Sequence, residues 1–403
     1  MRNLPDGWRR VGLAEITKEQ TEKVGGRKSV TVLSSTKHRG LVPSDEYFKG
    51  RTIYSSDLAG YKAVRRGWFA YATNHLAEGS IGLQEAFDIA CISPIYTVFS
   101  CVEGVYPPYL FRVLKSPDLL AAYRVHEQAS VDRRGAVRYR DFGKIPIHIP
   151  PEHEQRRIVE VLDALDMQIS TIDLVLDKLG FRHHGLSEAQ MKSAEAKMMP
   201  LSAHLARPPK NGYSPKEVDE WTGLVALGLG CLTTQGFQPR QLKNVPVLDG
   251  RNASAMVNDG DLLMSRANTR ELVGLAGVYR DVGMPCIYPD LMMKLIPLPT
   301  CRTEYLELHL RSDDIRRRIQ AIAQGTSESM GKISGSEVQR LLVAIPSLAE
   351  QDRILKVVNT SQEGIELRKR ERDKLALLKQ GLAEDLLTGR MRVETAEAVL
   401  EGL

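Results

Sequence analysis

The chain has 403 residues, 42% hydrophobic and 26% charged, with a formal net charge of +5. It is too long for one ordinary core, and its composition is that of two or three folded domains rather than a disordered chain. No apolar run approaches the roughly 18 residues that span a bilayer, the opening MRNLPDGWRR lacks a signal-peptide core, and five scattered cysteines form no CxxC pair, so reduced thiols in a cytoplasm are expected and a zinc knuckle is not.

Taken in chain order, SVTVLSS (29–35), GWFAYAT (67–73) and YTVFS (96–100) carry strand-like apolar patterns, and short helices are expected over 108–122. At IPPEHEQRRIVEVLDALD (149–166) the periodicity becomes helical. Ile158, Leu162, Leu165, Ile169, Ile172, Leu176 and Leu179 alternate spacings of four and three, a heptad seam. Strands follow again at GDLLMS (260–265) and LMMKLIP (291–297), with short helices over 304–323. A second long helix opens at IPSLAEQDRILKVVNT (345–360). It keeps Ile354, Val358, Ile365 and Leu375 on the seam and puts Ser361, Arg368 and Arg372 at the other equivalent positions. The seam lapses in RKRERDK (368–374) and resumes with Leu378, Leu382 and Leu386.

The two turn-and-helix stretches are copies, with Gln155 and Gln351 standing 196 positions apart. At that offset Tyr109-Leu110 faces Tyr305-Leu306, Leu114 faces Leu310, Ser116 faces Ser312, Gln128-Ala129-Ser130 faces Gln324-Gly325-Thr326, and Gly135 faces Gly331. Further upstream the register slips, and Arg66-Gly67-Trp68-Phe69 answers Asp259-Gly260-Asp261-Leu262. One scaffold therefore carries two dissimilar heads. At roughly 1.5–3 kcal/mol per buried Leu or Ile, each seam needs a partner, and the nearest is the other copy. Parallel helices would need a long return connection that the sequence does not contain. The expected fold is two α/β (α+β) globules separated by two long antiparallel helices in a pseudo-two-fold arrangement, the seam from Ile158 to Leu179 rising roughly 32 Å.

Stretches that invite an enzymatic reading fall short. YPPY (106–109) has Tyr106 where an adenine methyltransferase loop needs Asn or Asp, and no glycine-rich cofactor loop accompanies it. GTSESMGK (325–332) has five residues between its glycines where a phosphate loop has four, and Ile333 where Ser or Thr is needed. PDLMMK (289–294) has Met292 where a nuclease core needs its second carboxylate. The nine histidines form no HxxxH or HExxH pattern, and His183-His184 reads as helix surface. No catalytic residue and no metal site is expected.

The doubled PxxxEQxRI signature and the closing LLKQGLAEDLLTGRMRV (377–393) resemble the specificity subunits of type I restriction–modification systems. LPDGW (4–8), YKAVRRGWFAYATN (61–74), NGYSP (211–215) and GDLLMSRANT (260–269) are similar to stretches of that family's target-recognition domains. The resemblance implies a protein without chemistry of its own. Residues 1–150 and 200–346 would be target-recognition domains, each reading one half of a bipartite, asymmetric double-stranded DNA sequence. Residues 151–199 and 347–403 would be conserved helical regions that set the spacing and dock two methyltransferase subunits. S-adenosylmethionine belongs on the methyltransferase, no cofactor on this chain, and a motor-nuclease restriction subunit can join.

Side chains that present paired donors and acceptors to base edges are the candidate contacts. In the first half these are Lys37, His38 and Arg39 of STKHRG, Thr73, Asn74, His75 and Ser80 of TNHLAEGS, and Arg133, Arg134 and Arg138 before the helix. In the second they are Gln235, Gln238, Arg240 and Lys243, then Arg266, Asn268 and Arg270 of SRANTR, then Ser327 and Lys332. Basic stretches at 23–44 and 130–144 suit a polyanion, and aromatics at only 6% disfavour single-strand stacking platforms. The rival readings are a self-sufficient DNA methyltransferase or nuclease, and a coiled-coil scaffold that binds only proteins.

Overall fold

Phe69 and Phe99, both fully buried, stack with ring centroids 4.9 Å apart across neighbouring strands. The structure, a computed structural model, describes residues 5–25, 30–51, 53–128, 136–247, 250–323 and 330–402. The helices discussed are α1 (Pro107–Leu114), α2 (Pro117–Gln128), α3 (Glu152–Ser193), α4 (Thr303–Arg311), α5 (Asp313–Ile322), α6 (Leu348–Thr388) and α7 (Val393–Glu401). The chain divides into two units, residues 1–173 with 371–403, and residues 174–370. The division falls inside both long helices.

In the first unit an antiparallel sheet runs in the order Thr17–Gln20, Tyr96–Cys101, Phe69–Ala72, Ile81–Leu83. A second sheet runs Gly40–Pro43, Val32–Thr36, Ile89–Ile92, Lys62–Arg65, its middle pair parallel. The short helices expected over 108–122 are α1 and α2, divided because Pro117 cannot continue α1 and instead opens α2, where a missing N–H costs nothing. Ile158, Leu162 and Leu165 of α3 bury with Leu382 and Leu386 of α6, Val393 and Ala396 of α7, and Trp8. Asp173 Oδ1 accepts from Arg372 Nε at 3.1 Å, and Asp166 pairs with Lys379. The partner number falls as the α3 number rises, so these helix segments are antiparallel. Gly389, at φ 72°, turns the chain against Trp8, whose ring atoms would lie 3.2 Å from an added Cβ.

The second unit repeats this plan. Its main sheet runs Lys210–Asn211, Met292–Leu295, Leu262–Ser265, Ala276–Val278, the same order with each strand replaced by its counterpart. The register agrees as well: Phe69 pairs with Phe99, and Leu262 with Leu295. The smaller sheet, Leu242–Asn244, Val225–Leu227, Cys286–Ile287, again has a parallel pair, while its fourth strand shrinks to a bridge between Met256 and Ile287. The short helices expected over 304–323 are α4 and α5, divided at Ser312, whose extended backbone separates them and whose hydroxyl donates to the His309 carbonyl at 2.7 Å. Here Ile354 and Val358 of α6 bury with Tyr305, and Met191 of α3 packs on them.

With 42 and 41 residues, α3 and α6 are about 60 Å long, roughly twice the length of the seam read from α3. Ile169, Ile172, Leu176, Leu179 and Leu375 are half-buried and Ile365 is buried. Two polar breaks in the α6 seam meet polar groups on α3: Arg372 finds Asp173, and Ser361 lies 3.2 Å from His183 Nδ1.

His309 on α4 is buried and held neutral, its Nε2 accepting from the Ala344 N–H at 3.2 Å. Burial pushes its pKa down to about 4, from about 6.5 when unfolded. Since the folded state disfavours the proton, the stability of the second unit is independent of this group above pH 6.5. It declines as the pH falls from about 6.5 towards 4, by at most about 3 kcal/mol. Denaturant unfolding across that window checks the slope, which His309→Gln is expected to flatten.

Candidate nucleic-acid interface

The Glu-Gln pairs show what the duplicated motif does. Gln155 is buried; its Oε1 accepts from the Tyr106 N–H at 2.8 Å, and its Nε2 donates to the carbonyls of Gly104 (3.1 Å) and Pro150 (2.9 Å). Gln351 is buried alike; its Oε1 accepts from the Arg302 N–H at 2.7 Å, and its Nε2 donates to Thr300 (3.0 Å) and Pro346 (2.7 Å). All three partners recur 196 positions on. In each unit this amide clasps the start of the long helix to the turn that precedes α1 or α4. The neighbouring glutamates have diverged. Glu154 is buried, accepting from Trp8 Nε1 at 3.2 Å with Arg392 nearby, whereas Glu350 pairs with Arg353 on the helix surface.

On this frame each unit assembles three chain segments. The first is a hairpin tip. Thr36 Oγ donates to the Gly40 carbonyl at 3.1 Å and Thr233 Oγ to Gly236 at 2.9 Å, both glycines having φ between 60° and 100°. Lys37, His38 and Arg39 occupy one tip, Thr234 and Gln235 the other, and all five are exposed. The second is the loop after the central strand, Thr73–His75 in one unit and Arg266–Asn268 in the other. The third is the segment before the long helix, tied to that loop by one backbone bond in each case. The Val137 N–H donates to the Thr73 carbonyl at 2.8 Å, and the Ile333 N–H to Arg266 at 2.8 Å. In the second unit this tie extends into a short ladder in which Ala267 faces Lys332 and Asn268 faces Gly331.

The candidates fall on this frame unevenly. Asn74, His75, Arg138, Arg270, Arg240 and Lys332 are exposed; Thr73, Arg266, Asn268 and Gln238 are partly so. Arg39 pairs with Glu46, His75 with Glu78 (2.9 Å) and Lys243 with Glu217 (2.7 Å), exposed pairs that a polyanion can compete for. Gln238 Nε2 donates to Gln235 Oε1 at 3.3 Å. Ser80 is a correction: it is buried, and its hydroxyl lies 3.1 Å from Ser35 Oγ, so it holds the hairpin and presents nothing outward. Arg133, Arg134 and Ser327 lie outside the described residues.

The sequence reading passed over three cations behind these loops. Lys115 Nζ donates to the carbonyls of Lys37 (2.6 Å) and Gly79 (2.7 Å). Arg311, its counterpart at offset 196, donates through Nε and Nη2 to the Thr234 carbonyl at 3.1 and 2.8 Å. Arg316 donates to the carbonyls of Val273 and Glu271, both at 2.7 Å. The signal was present: Lys115 and Arg311 sit between the facing pairs Leu114/Leu310 and Ser116/Ser312.

Among the described residues one group gathers three metal-type ligands, His184, Glu188 and Asp313. Their polar groups bond one another, with Glu188 accepting from the Asp313 N–H at 2.9 Å and His184 Nε2 lying 3.3 Å from Asp313. Tyr106 of YPPY sits at the start of α1, and Lys294 of PDLMMK bonds Asp261 at 2.7 Å. No described helix is long and apolar enough to cross a membrane.

The two units thus use one scaffold twice, keeping its backbone ties while changing the side chains on its loops. No family model matches the chain. It is 25% identical over 236 residues to the EcoKI type I restriction enzyme specificity subunit of Escherichia coli K12, covering 54% of this chain and 50% of that one. It is 20% identical over 284 residues to the MjaVIII type I specificity subunit of Methanocaldococcus jannaschii, 63% of this chain and 64% of that one. The matches thus span half to two thirds of these curated relatives. Among solved structures, a chain from work on complex assembly and conformational transition of the type I R-M system aligns with TM-score 0.62 at 18% identity, over 97% of this chain and 100% of that one. The HsdS subunit of Thermoanaerobacter tengcongensis aligns with TM-score 0.54 at 18% identity, over 97% and 99%. The chain is similar in sequence to type I restriction enzyme specificity subunits and shares the fold of these solved structures.

Proposed function

We propose that the chain is the DNA-reading specificity subunit of a type I restriction–modification enzyme. Each unit reads one half of a bipartite, asymmetric duplex sequence through its hairpin tip, its post-strand loop and the segment before its long helix. The long helices dock two methyltransferase subunits, which bring S-adenosylmethionine and the chemistry; this chain contributes recognition alone, acts in the cytoplasm and can be joined by a restriction subunit. The observation that carries the reading is the pair of equivalent ties, Val137 to Thr73 and Ile333 to Arg266, which hold the same three segments together while their side chains differ. A constant frame with variable polar loops is what reading two unlike sequences requires. Exchange of residues 200–346 for another recognition domain is expected to change one half of the methylated sequence and leave the other intact. Methylome sequencing decides, and a change in both halves together would refute the two-reader assignment. Turnover by the purified chain alone, with labelled S-adenosylmethionine or with Mg²⁺ and duplex DNA, would refute the non-catalytic role.

A further inference from the structure

We propose that Lys115 in the first unit, and Arg311 with Arg316 in the second, are positioning residues that set the placement of the reading loops from behind, without touching a base. This rests on the DNA-reading proposal and extends it to side chains that no contact argument would select.

The geometry is duplicated in function though not in residue type. One ammonium in the first unit bridges the hairpin tip at the Lys37 carbonyl and the loop at the Gly79 carbonyl. In the second unit two guanidinium groups divide the work, Arg311 on the tip at Thr234 and Arg316 on the loop at Glu271 and Val273. The acceptors lie at or beside equivalent glycines: Gly79 itself accepts in the first unit, and Val273, just before Gly274, in the second. Gly79 and Gly274 both have left-handed backbone (φ 87° and 74°), and a Cβ added there would lie 3.5 Å from Lys115 Nζ and 3.3 Å from Arg316 Nη1. Each unit has a cation beneath its tip although the tips differ, Thr-Lys-His-Arg-Gly in the first and Thr-Thr-Gln-Gly in the second.

The short contacts of these cations are to main-chain carbonyls. Lys115 and Arg316 are partly buried, and burial lowers the pKa of both. Arg311 also lies 3.9 Å from Glu307, whose Oε1 accepts from the Val278 N–H at 3.2 Å and so links the tip to the main sheet. A charged donor on a carbonyl is among the stronger hydrogen bonds. It fixes where the tip side chains start, and a contact set held in place discriminates between bases better than one that samples several placements.

The test uses the full chain, with the modification subunits it is proposed to recruit, in selection from randomised duplex DNA. Lys115→Met is expected to flatten base preference roughly tenfold in one half of the selected sequence, with the other half and the unfolding midpoint unchanged. Arg311→Met and Arg316→Met are expected to do the same to the other half. Lys115→Arg and Arg311→Lys, which keep a cation under the tip, are expected to restore selectivity, and they carry the test if a Met variant does not fold. Unchanged preferences in all variants, or a lowered midpoint with preferences intact, would overturn the positioning role. Absence of any selected sequence with the wild-type chain would instead sink the DNA-reading proposal itself.

Discussion

Gln351→Ala is expected to destabilise the second unit by about 4 kcal/mol, and Gln155→Ala the first by a similar amount. Each amide is almost wholly buried and satisfies one N–H and two carbonyls of the backbone. Truncation leaves the Pro150 or Pro346 carbonyl without a partner at a buried position and the other two groups without one at part-buried positions, and each buried orphan costs about 1–3 kcal/mol. Gln351→Glu sharpens the argument. A carboxylate can still accept from Arg302 but cannot donate to Thr300 or Pro346, so the loss is expected to persist at neutral pH and to ease in acid, where the protonated group regains one donor. Denaturant unfolding measures both. A loss below about 1 kcal/mol in either alanine variant would show that the clasp is incidental to the turn-and-helix junction.

The second large effect concerns spacing. Insertion of seven residues in α3 after Leu176, matched by seven in α6 after Arg368, adds two turns to each helix, about 10 Å. The antiparallel register pairs Asp173 with Arg372 and His183 with Ser361, so the two insertions face each other and preserve both pairs. The expected outcome is a methylated sequence whose half-sites are unchanged and whose gap is longer by about 3 base pairs, at ~3.4 Å per base pair. An insertion in α3 alone cannot keep both pairs and is expected to abolish modification. A matched insertion that altered half-site identity, or left the gap unchanged, would contradict a spacing role for the helices.

The sequence carried the duplication because the clasp needs glutamine twice, and helical seams announce themselves by spacing. Even the upstream slip was legible: matching Phe69 to Leu262 anticipated the strand register, in which both face the equivalent residue of the neighbouring strand. The hairpin tips were not legible as equivalents, since three residues lie between Thr36 and Gly40 but two between Thr233 and Gly236. A fixed offset cannot find that correspondence. Ser80 was misplaced because a polar residue in a loop-like string looks exposed until the strand beneath it is known. Short helices over 108–122 and 304–323 were legible, but their boundaries at Pro117 and Ser312 were not. A proline can open a helix as well as end one, and serine leaves a helix only when its surroundings favour the extended backbone. The backing cations lay in helical stretches, where attention to loops does not reach.

The first unit is discontinuous in sequence, its core closed by Leu382, Leu386, Val393 and Ala396, whereas the second is drawn from one unbroken stretch. During synthesis the ribosome therefore releases everything the second unit needs while the first still lacks its last apolar side chains. The half encoded later can mature earlier. The half encoded first cannot complete its core around Trp8, Ile158 and Leu162 until those last residues emerge.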